Sequence, residues 1–358
     1  MGRILLRPTA FVDSPFGNDG KVARLAGGLN WFAAVELISL DGHRRQSAEL
    51  VPVEGLEQRL DDDMIAQWQA LTSARSPLRL GERSIRLDQP QVMGIINATP
   101  DSFSDGGRFV DAASAAEAGS DMASKGAAII DVGGESTRPG AKTVWEGDEI
   151  ERVVPIIRQL SGGGAAVSID TRKADVMTAA LEAGARMIND VSALTYDERA
   201  SSVVAASKVP VVLMHHKGPP ETMQDEPHYD DALVEVYLWL EEQIRSALEA
   251  GIQRECILVD PGFGFGKKVA HNLELMNGLA LFHSLGCPLV IGASRKRTIG
   301  ALSGEAPAEQ RLGGSVAFAL KAAEQGVQIL RVHDVPETVQ ALRVWRGMRD
   351  QALTPRLD

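Results

Sequence analysis

From about residue 92, short apolar runs rich in β-branched residues alternate with longer segments whose apolar positions recur at helical spacing. Short apolar runs predict strands, and a period near 3.6 residues predicts helices. The predicted strands are VMGIINA (92–98), IIDVGGE (129–135), AVSIDT (166–171), MINDVSA (187–193), VPVVLMHH (209–216), CILVDPG (256–262), PLVIGAS (288–294) and QILRVHD (328–334). The clearest predicted helices are Ser114–Gly126, Lys173–Gly184, Asp230–Gly251, Gly313–Gly326 and Pro336–Arg349.

This succession of strand and helix units predicts an α/β fold, a (β/α)8 TIM barrel. Residues 92–349 have the typical barrel length of about 250 residues. An open doubly wound sheet is the alternative architecture. Such a sheet usually has a GxGxxG turn after its first strand, where this chain has NATPDSFSDGG, so we favour the barrel.

Residues 1–76 lie outside this alternation and predict a small α+β N-terminal extension, so residues 77–358 form the predicted barrel domain. WFAAVELISL (31–40) contains a candidate strand, and Leu56–Ala74 has the apolar spacing of an amphipathic helix. A hairpin-like segment, LRLGERSIRLD (78–88), leads into the first barrel strand. We expect the extension to pack on the barrel bottom or helices and to leave the opposite end open.

Composition and charge narrow the function. The formal net charge of -11 disfavours nucleic acid and anionic membranes as general partners, so an anionic ligand must meet local cations. The two cysteines, Cys256 and Cys287, have no metal-binding spacing. The sequence lacks a signal-peptide pattern and a run of about 18 apolar residues, so we expect a cytoplasmic protein.

Polar residues recur where the predicted strands end. In a TIM barrel these ends converge on one mouth, where the chemistry of barrel enzymes takes place. Asp and Asn also cap helices, but many of these residues come too early in the loop to be caps. In chain order they are Asn97, Asp131, Glu135, Asp170, Asn189, Asp190, His215, Asp260, Ser294 to Lys296, Arg331 and His333.

Cations gather after the last two strands, where barrels often bind phosphate. Arg331 and His333 alternate on the eighth strand, beside Arg295, Lys296 and Arg297. A solvated surface cluster is the alternative for SRKR alone. The alternating pair favours an oxyanion or phosphate site.

Asp170, Asn189 and Asp260 stand between apolar neighbours, where an unpaired charge would be costly. A flat, nitrogen-rich heterocycle would satisfy such carboxylates through two parallel hydrogen bonds. A structural salt bridge is the alternative for each acid, above all for Asp190. The sequence GFGFGKK (262–268) does not complete a Walker A motif, and no GxSxG motif occurs.

In these motifs the chain resembles the bacterial dihydropteroate synthases, a family of pterin-binding barrels. The resemblance covers about Gly81 to Arg349. It rests on VMGIINATPDSFSDGG, IIDVGGESTRPGA, SIDT, IND, LMH, DPGFGFGK, GASRK and RVHDV. It implies condensation of 6-hydroxymethyl-7,8-dihydropterin diphosphate with 4-aminobenzoate in folate synthesis, a Mg2+ requirement, sensitivity to sulfonamides, and a homodimer formed through the last barrel helices.

The resemblance also implies roles for individual residues. The implied pterin ligands are Asp170, Asn189, Asp260 and Lys296. The implied diphosphate ligands are Asn97, Arg331 and His333, with Asn97 also reaching the metal. The implied aminobenzoate pocket comprises Phe103, Thr137, Arg138, Pro139 and Phe265, and the implied catalytic residues are Asp170, Lys296, Arg331 and Asp105. Arg297 departs from the Ser found in many family members, although an Arg there could also meet the aminobenzoate carboxylate.

Two other functions remain open at this stage. A methyltetrahydrofolate-binding methyltransfer module would keep the acids for the pterin but would not need diphosphate ligands, and TRPGA, Arg331 and His333 argue against it. A non-catalytic paralogue would bind pterin without turnover.

Overall fold

The computed structural model describes residues 2–99, 112–136, 143–218 and 222–354. Within them, eight parallel strands form one sheet. The barrel strands are β7 (Gln91–Asn97), β8 (Ile129–Gly133), β9 (Val167–Asp170), β10 (Met187–Asp190), β11 (Val211–Met214), β12 (Ile257–Asp260), β13 (Val290–Ile291) and β14 (Ile329–Val332). Their order in the sheet is β12-β11-β10-β9-β8-β7-β14-β13. The bridge between Val259 and Leu289 brings the two outer strands together and closes the barrel.

Helices surround these strands, as the alternating pattern predicts. They are α2 (Ala112–Ser124), α3 (Glu146–Gly162), α4 (Ala174–Ala183), α5 (Ala200–Ser207), α6 (Ala232–Glu249), α7 (Val269–Gly278), α8 (Arg297–Leu302), α9 (Leu312–Glu324) and α10 (Val335–Ala352). A 3-10 helix, Leu279–Leu285, follows α7. The predicted (β/α)8 TIM barrel is therefore confirmed. None of the described helices is long and apolar enough to cross a membrane.

The first part of the chain forms an antiparallel sheet around one central strand. In it, β3 (Trp31–Asp41) pairs with β1 (Ile4–Val12), β2 (Ala23–Arg24) and β4 (Arg44–Pro52). A 3-10 helix (Leu56–Arg59) and helix α1 (Asp62–Thr72) follow. The strand and helix predicted in this region are present, and the structure adds β1, β2 and β4.

The central strand β3 is buried along most of its length because both faces of its sheet are covered. Val35 and Leu37 join Phe32 and Leu71 in a small core of the extension. Ile38 and Leu40 belong instead to the large core of the barrel. Since successive side chains of a strand point to opposite faces, one strand serves both cores.

Polar contacts also join the extension to the barrel helices. Arg45 Nε donates to Asp231 Oδ2 (2.7 Å) beside α6, and Asn30 Nδ2 donates to Ala323 O (2.7 Å) in α9. Arg349 of α10 pairs with Asp13 (3.0 Å). The extension thus packs on the barrel helices, as expected.

A short hairpin covers the amino-terminal end of the barrel. It consists of β5 (Leu78–Leu80) and β6 (Arg83–Ile85). Its residues Leu78, Leu80 and Ile85 share a buried cluster with side chains from the first residues of the barrel strands, including Met187 and Ile329. This packing closes one end of the barrel and leaves the carboxyl ends of the strands for the site.

Candidate functional site

Parallel strand register brings the predicted polar residues together at the carboxyl end of the barrel. Asp170, the last residue of β9, is level with Asn189 of β10 and with Gly133 of β8. Gly133 is in turn level with Asn97, the last residue of β7. Asp260 ends β12. The local cause is sequence pattern, since these strands are apolar runs and four of the eight end on a polar residue, Asn97, Asp170, Asp190 or Asp260.

The centre of this end is Arg331, which joins two buried carboxylates from different strands. Its Nε donates to Asp131 Oδ2 and its Nη2 donates to Asp170 Oδ2, both at 2.6 Å. Asp131 also accepts a hydrogen bond from Asn189 Nδ2 (3.1 Å). Four strands therefore contribute to one charged cluster, which we call the Arg331 cluster: Asp131, Asp170, Asn189 and Arg331.

The Arg331 cluster contains one cation and two carboxylates, and its burial perturbs the pKa values of Asp170 and Arg331. Burial raises the pKa of Asp170 to about 7, against the lowering effect of Arg331. Burial lowers the pKa of Arg331, but Asp131 and Asp170 outweigh that effect and raise it overall. Asp131 Oδ1 and Asp170 Oδ1 are buried without a hydrogen-bond partner among the described residues. These oxygens can accept further N–H donors.

Asp260 lies nearby with a separate environment. It is 5% exposed, and burial raises its pKa to about 6 although Gly262 N donates to its Oδ1 (2.7 Å).

Asp190 differs from the other acids in its hydrogen-bond partners. Its oxygens accept from Ser192 N (2.7 Å) and Leu194 N (2.9 Å), so it orders its own loop through hydrogen bonds, and not through the salt bridge considered for it.

His333 is held by the hydroxyl group of Ser294. Ser294 Oγ accepts from the backbone N–H of His333 (3.2 Å) and lies 3.1 Å from Nδ1 of the same ring. When the hydroxyl group donates its hydrogen bond to Nδ1, the ring proton of a neutral His333 lies on Nε2. Burial and the nearby Arg331 lower the pKa of His333 to about 3, so at neutral pH it can donate one hydrogen bond but carries no charge.

The cations of the SRKR segment take different positions. Arg295 pairs with Asp334 through its Nε (3.0 Å), so its charge is already matched by a carboxylate. Arg297 begins α8 and is exposed. Lys296 Nζ lies 4.0 Å from the ring centroid of Phe265, which the loop after β12 supplies. The predicted local positive field is thus smaller than the sequence alone indicates.

Several predicted residues lie outside the described part of the chain. These are Phe103, Asp105, Thr137, Arg138 and Pro139.

The described end of the second loop is held by a buried ion cluster. Lys173 Nζ pairs with Glu149 (2.6 Å) and Glu135 (3.0 Å), and Glu135 Oε1 accepts from Val144 N (2.8 Å).

Sequence reasoning did not assign a role to Asp131 or to this ion cluster. Asp131 was visible as a charged residue within the apolar run IIDVGG, which is a signal of a buried partner. Its partner Arg331 is 200 positions away in the chain, so the pairing could not be read from local pattern.

Comparisons with known proteins agree with this geometry. The profile of a family described as "Pterin binding enzyme" matches residues 93–333. The dihydropteroate synthase of Escherichia coli K12 is 47% identical over 262 residues, which cover 73% of this chain and 92% of the relative.

Two solved structures of the Xanthomonas albilineans dihydropteroate synthase are similar in fold. The first, with 4-aminobenzoic acid, has a TM-score of 0.73 and 48% identity. The second, in complex with 7,8-dihydropteroate, has a TM-score of 0.69 and 45% identity. Each match covers 78% of this chain and 100% of the other.

Proposed function

Because the chain belongs to the dihydropteroate synthase family of pterin binding enzymes, we propose that it condenses 6-hydroxymethyl-7,8-dihydropterin diphosphate with 4-aminobenzoate. The products are 7,8-dihydropteroate and pyrophosphate. The observation that carries this proposal is the Arg331 cluster with Asp260, which offers buried carboxylates to a nitrogen-rich ring and a cation to an anionic group at one mouth.

The pterin is bound through its nitrogen-bearing edge. Asp170, Asn189 and Asp260 are 8%, 5% and 5% exposed. A ring that displaces solvent from these side chains must therefore supply their hydrogen bonds itself. The unpartnered Asp170 Oδ1 supports this assignment because it is a buried acceptor at the end of a strand. Lys296 completes the proposed pterin ligands.

Binding requires an exchange of partners at Arg331. When Asp170 accepts N–H groups from the pterin, Asp131 continues to hold Arg331 through Nε. The Nη2 group that now donates to Asp170 can then donate to a diphosphate oxygen. Asn97 and the Nε2–H group of neutral His333 are the other proposed diphosphate ligands, since both can donate without adding charge.

Mg2+ fits this site as an ion carried by the substrate. The described residues do not include a group of three or more His, Cys, Asp or Glu that could hold a metal. Mg2+ usually keeps several waters and binds through substrate phosphates and few protein ligands, which suits a site offering the side-chain oxygen of Asn97. When bound, the ion would neutralise charge on the leaving diphosphate.

The chemistry follows from these positions. The C–O bond to the diphosphate breaks with its electron pair leaving on oxygen, and Arg331 neutralises the developing charge. The electron-rich pterin carries the resulting methylene cation, which the Asp170 carboxylate stabilises. The amine of 4-aminobenzoate then forms the C–N bond and loses a proton, so an SN1-like course needs no strong base.

The amine must be held in line with the cation. We assign this to Phe265 with Lys296, and to Phe103, Asp105, Thr137, Arg138 and Pro139 of the two loops. Lys296 Nζ over the Phe265 ring supports the first pair, because a cation beside an aromatic face suits an aryl carboxylate.

The remaining proposals concern the whole molecule. We propose a division into an extension (1–76) and a pterin-binding barrel (77–358), supported by the separate core of the extension.

A homodimer through α10 is supported by Val344 and Met348, which are 61% and 63% exposed and one helical turn apart. Cytoplasmic localisation is supported by the two cysteines, which are free.

The test is product formation from purified protein, Mg2+ and both substrates, with pyrophosphate release measured with and without the amine. We expect dihydropteroate that requires 4-aminobenzoate, and its loss in Arg331→Ala. Arg295→Ala is the matched control, because its cation already pairs with Asp334. Tight pterin diphosphate binding without product would indicate a non-catalytic pterin-binding protein, and absence of binding would refute the assigned site.

A further inference from the structure

Beneath the mouth lies a lysine that the proposed reaction does not use. Lys267 is 3% exposed, and its Nζ has three polar neighbours. These are His215 Nδ1 (2.8 Å), Gly262 O (2.9 Å) and Phe265 O (3.0 Å). Burial lowers the pKa of Lys267 well below its usual value, and burial does the same to that of His215.

All hydrogen-bonding groups of this lysine are used in either protonation state. An ammonium group donates to His215 and to both carbonyls. A neutral amine donates to the two carbonyls and accepts from His215 Nδ1–H. The arrangement therefore survives a change of charge, which fits a role in geometry and not in proton transfer.

The two carbonyls belong to the loop after β12, residues 261–268. Gly262 begins its turn, and the Phe265 amide donates back to Gly262 O (3.1 Å). The loop packs so closely on the end of β11 that a Cβ at Gly262 would lie 1.7 Å from His215 O. Lys267 thus fastens both ends of the Gly262–Phe265 turn to His215, the residue that follows β11.

The same turn positions the ring that faces Lys296. A Cβ at Gly264 would lie 3.2 Å from Lys296 Cδ, and the Phe265 centroid is 4.0 Å from Lys296 Nζ. A shift of this turn would therefore change the distance between the two groups assigned to 4-aminobenzoate.

We propose that Lys267 and His215 are positioning residues for the 4-aminobenzoate site, acting through Phe265. The inference rests on the proposed function, since it concerns the second substrate of that reaction. Lys267 does not need to touch substrate; it fixes the turn that carries Phe265. The residues of the Arg331 cluster lie on other strands and are not among the hydrogen-bond partners described for Lys267.

The test is a double-mutant cycle. In Lys267→Met, which keeps the chain length without the N–H groups, we expect the KM for 4-aminobenzoate to rise about tenfold. Binding of 6-hydroxymethylpterin is expected to change less, because its proposed ligands Asp170 and Asn189 lie on other strands, although Asp260 accepts from Gly262 N of this turn (2.7 Å). In a Phe265→Ala background, Lys267→Met should have little further effect on this KM, because it acts through that ring.

Tyr229→Phe is the matched control. Its hydroxyl donates to Gly266 O (2.9 Å) of the same loop, but at a position beyond Phe265. We expect this variant to leave the KM for 4-aminobenzoate near that of the wild type. An equal rise in Tyr229→Phe, or additive effects in the cycle, would overturn the proposal.

His215 gives a second pair of variants that decides the question if Lys267→Met does not fold. His215→Leu removes the polar partner of Lys267 and should raise the same KM. His215→Gln supplies a side-chain amide that can accept or donate a hydrogen bond, so its KM for 4-aminobenzoate should be close to that of the wild type. Equal KM values in both would refute the inference, whereas a wild-type protein without turnover would refute the proposed function itself.

Discussion

Replacing Arg331 by Met tests whether this residue compensates two buried charges. Arg331 donates to Asp131 and Asp170, which are 0% and 8% exposed. The substitution leaves both carboxylates without their cation at nearly constant side-chain volume. Removing one partner of a buried ion pair usually destabilises a protein by about 3–5 kcal/mol.

For a chain of 358 residues, that loss corresponds to a fall in Tm of about 4–7 °C. Arg295→Met is the matched control, because the Arg295 side chain is 37% exposed in its pair with Asp334. Pairs of this kind contribute at most about 1 kcal/mol. Differential scanning calorimetry of both variants at pH 7.5 should therefore separate them clearly.

The pH dependence provides a second measurement with a defined sign. Burial already raises the pKa of Asp170 to about 7, and without the cation this pKa should rise further. The folded state then binds more protons than the unfolded state, so the stability of Arg331→Met falls as the pH rises from the pKa of an unfolded Asp carboxyl to that raised value. At pH 5 we expect the variant to lie closer to the wild type than at pH 7.5.

Neutralising one carboxylate should rescue the variant. In Asp131→Asn combined with Arg331→Met, we expect recovery of at least half of the lost Tm at pH 7.5. The reasoning is refuted if Arg331→Met and Arg295→Met lose the same Tm, or if the loss in Arg331→Met is unchanged at pH 5.

Three further outcomes are expected. Binding of 6-hydroxymethylpterin, measured by calorimetry, should strengthen from pH 5 to pH 8. The pKa values of Asp170 and Asp260 are about 7 and about 6, and only an ionised carboxylate accepts both hydrogen bonds from the ring. An affinity that does not change with pH would exclude this assignment. Gly262→Ala should lower the Tm strongly, since its Cβ would meet His215 O at 1.7 Å and its φ is +70°, whereas Gly162→Ala, with open space around its Cβ, should not. A chain lacking residues 1–76 should keep its activity but have a lower Tm, because Ile38 and its neighbours in the barrel core are lost. A shortened chain that is folded and dimeric but inactive would contradict this.

The barrel was predictable because its strands are continuous apolar runs. A strand buried on both faces needs such a run, and four of the eight runs end on a polar residue that marks the mouth. The same reasoning overlooked β4, whose sequence RRQSAELVP is mostly exposed and has few apolar residues. A helix was expected between the second and third strands, but α3 was not among the clearest ones, because it has Pro155 in its interior and no side-chain N-cap.

Candidate site residues were predictable one by one, but their pairing was not. Asp170 and Arg331 were assigned to opposite ends of one substrate, yet in the structure they bond to each other. Local pattern reports that a strand ends in a charge, whereas the partner depends on how distant strands meet in the barrel. Lys267 was hidden for the same reason, since its partner His215 is 52 positions away.

The short strand β13 has a consequence for dynamics. It pairs with β14 through Val290 and Ile291, and it meets β12 at the bridge between Val259 and Leu289. Because so few ladder hydrogen bonds join β12 to β13 and β13 to β14, local opening at this seam, the junction of β12 and β13, should have a low free energy. Its amide hydrogens should then exchange faster than those of the other barrel strands. The loops bearing Phe265 and Lys296 leave from the two sides of that seam. A ligand bound between them would join the two sides, so its binding should slow exchange in β12 and β13 at positions it does not touch.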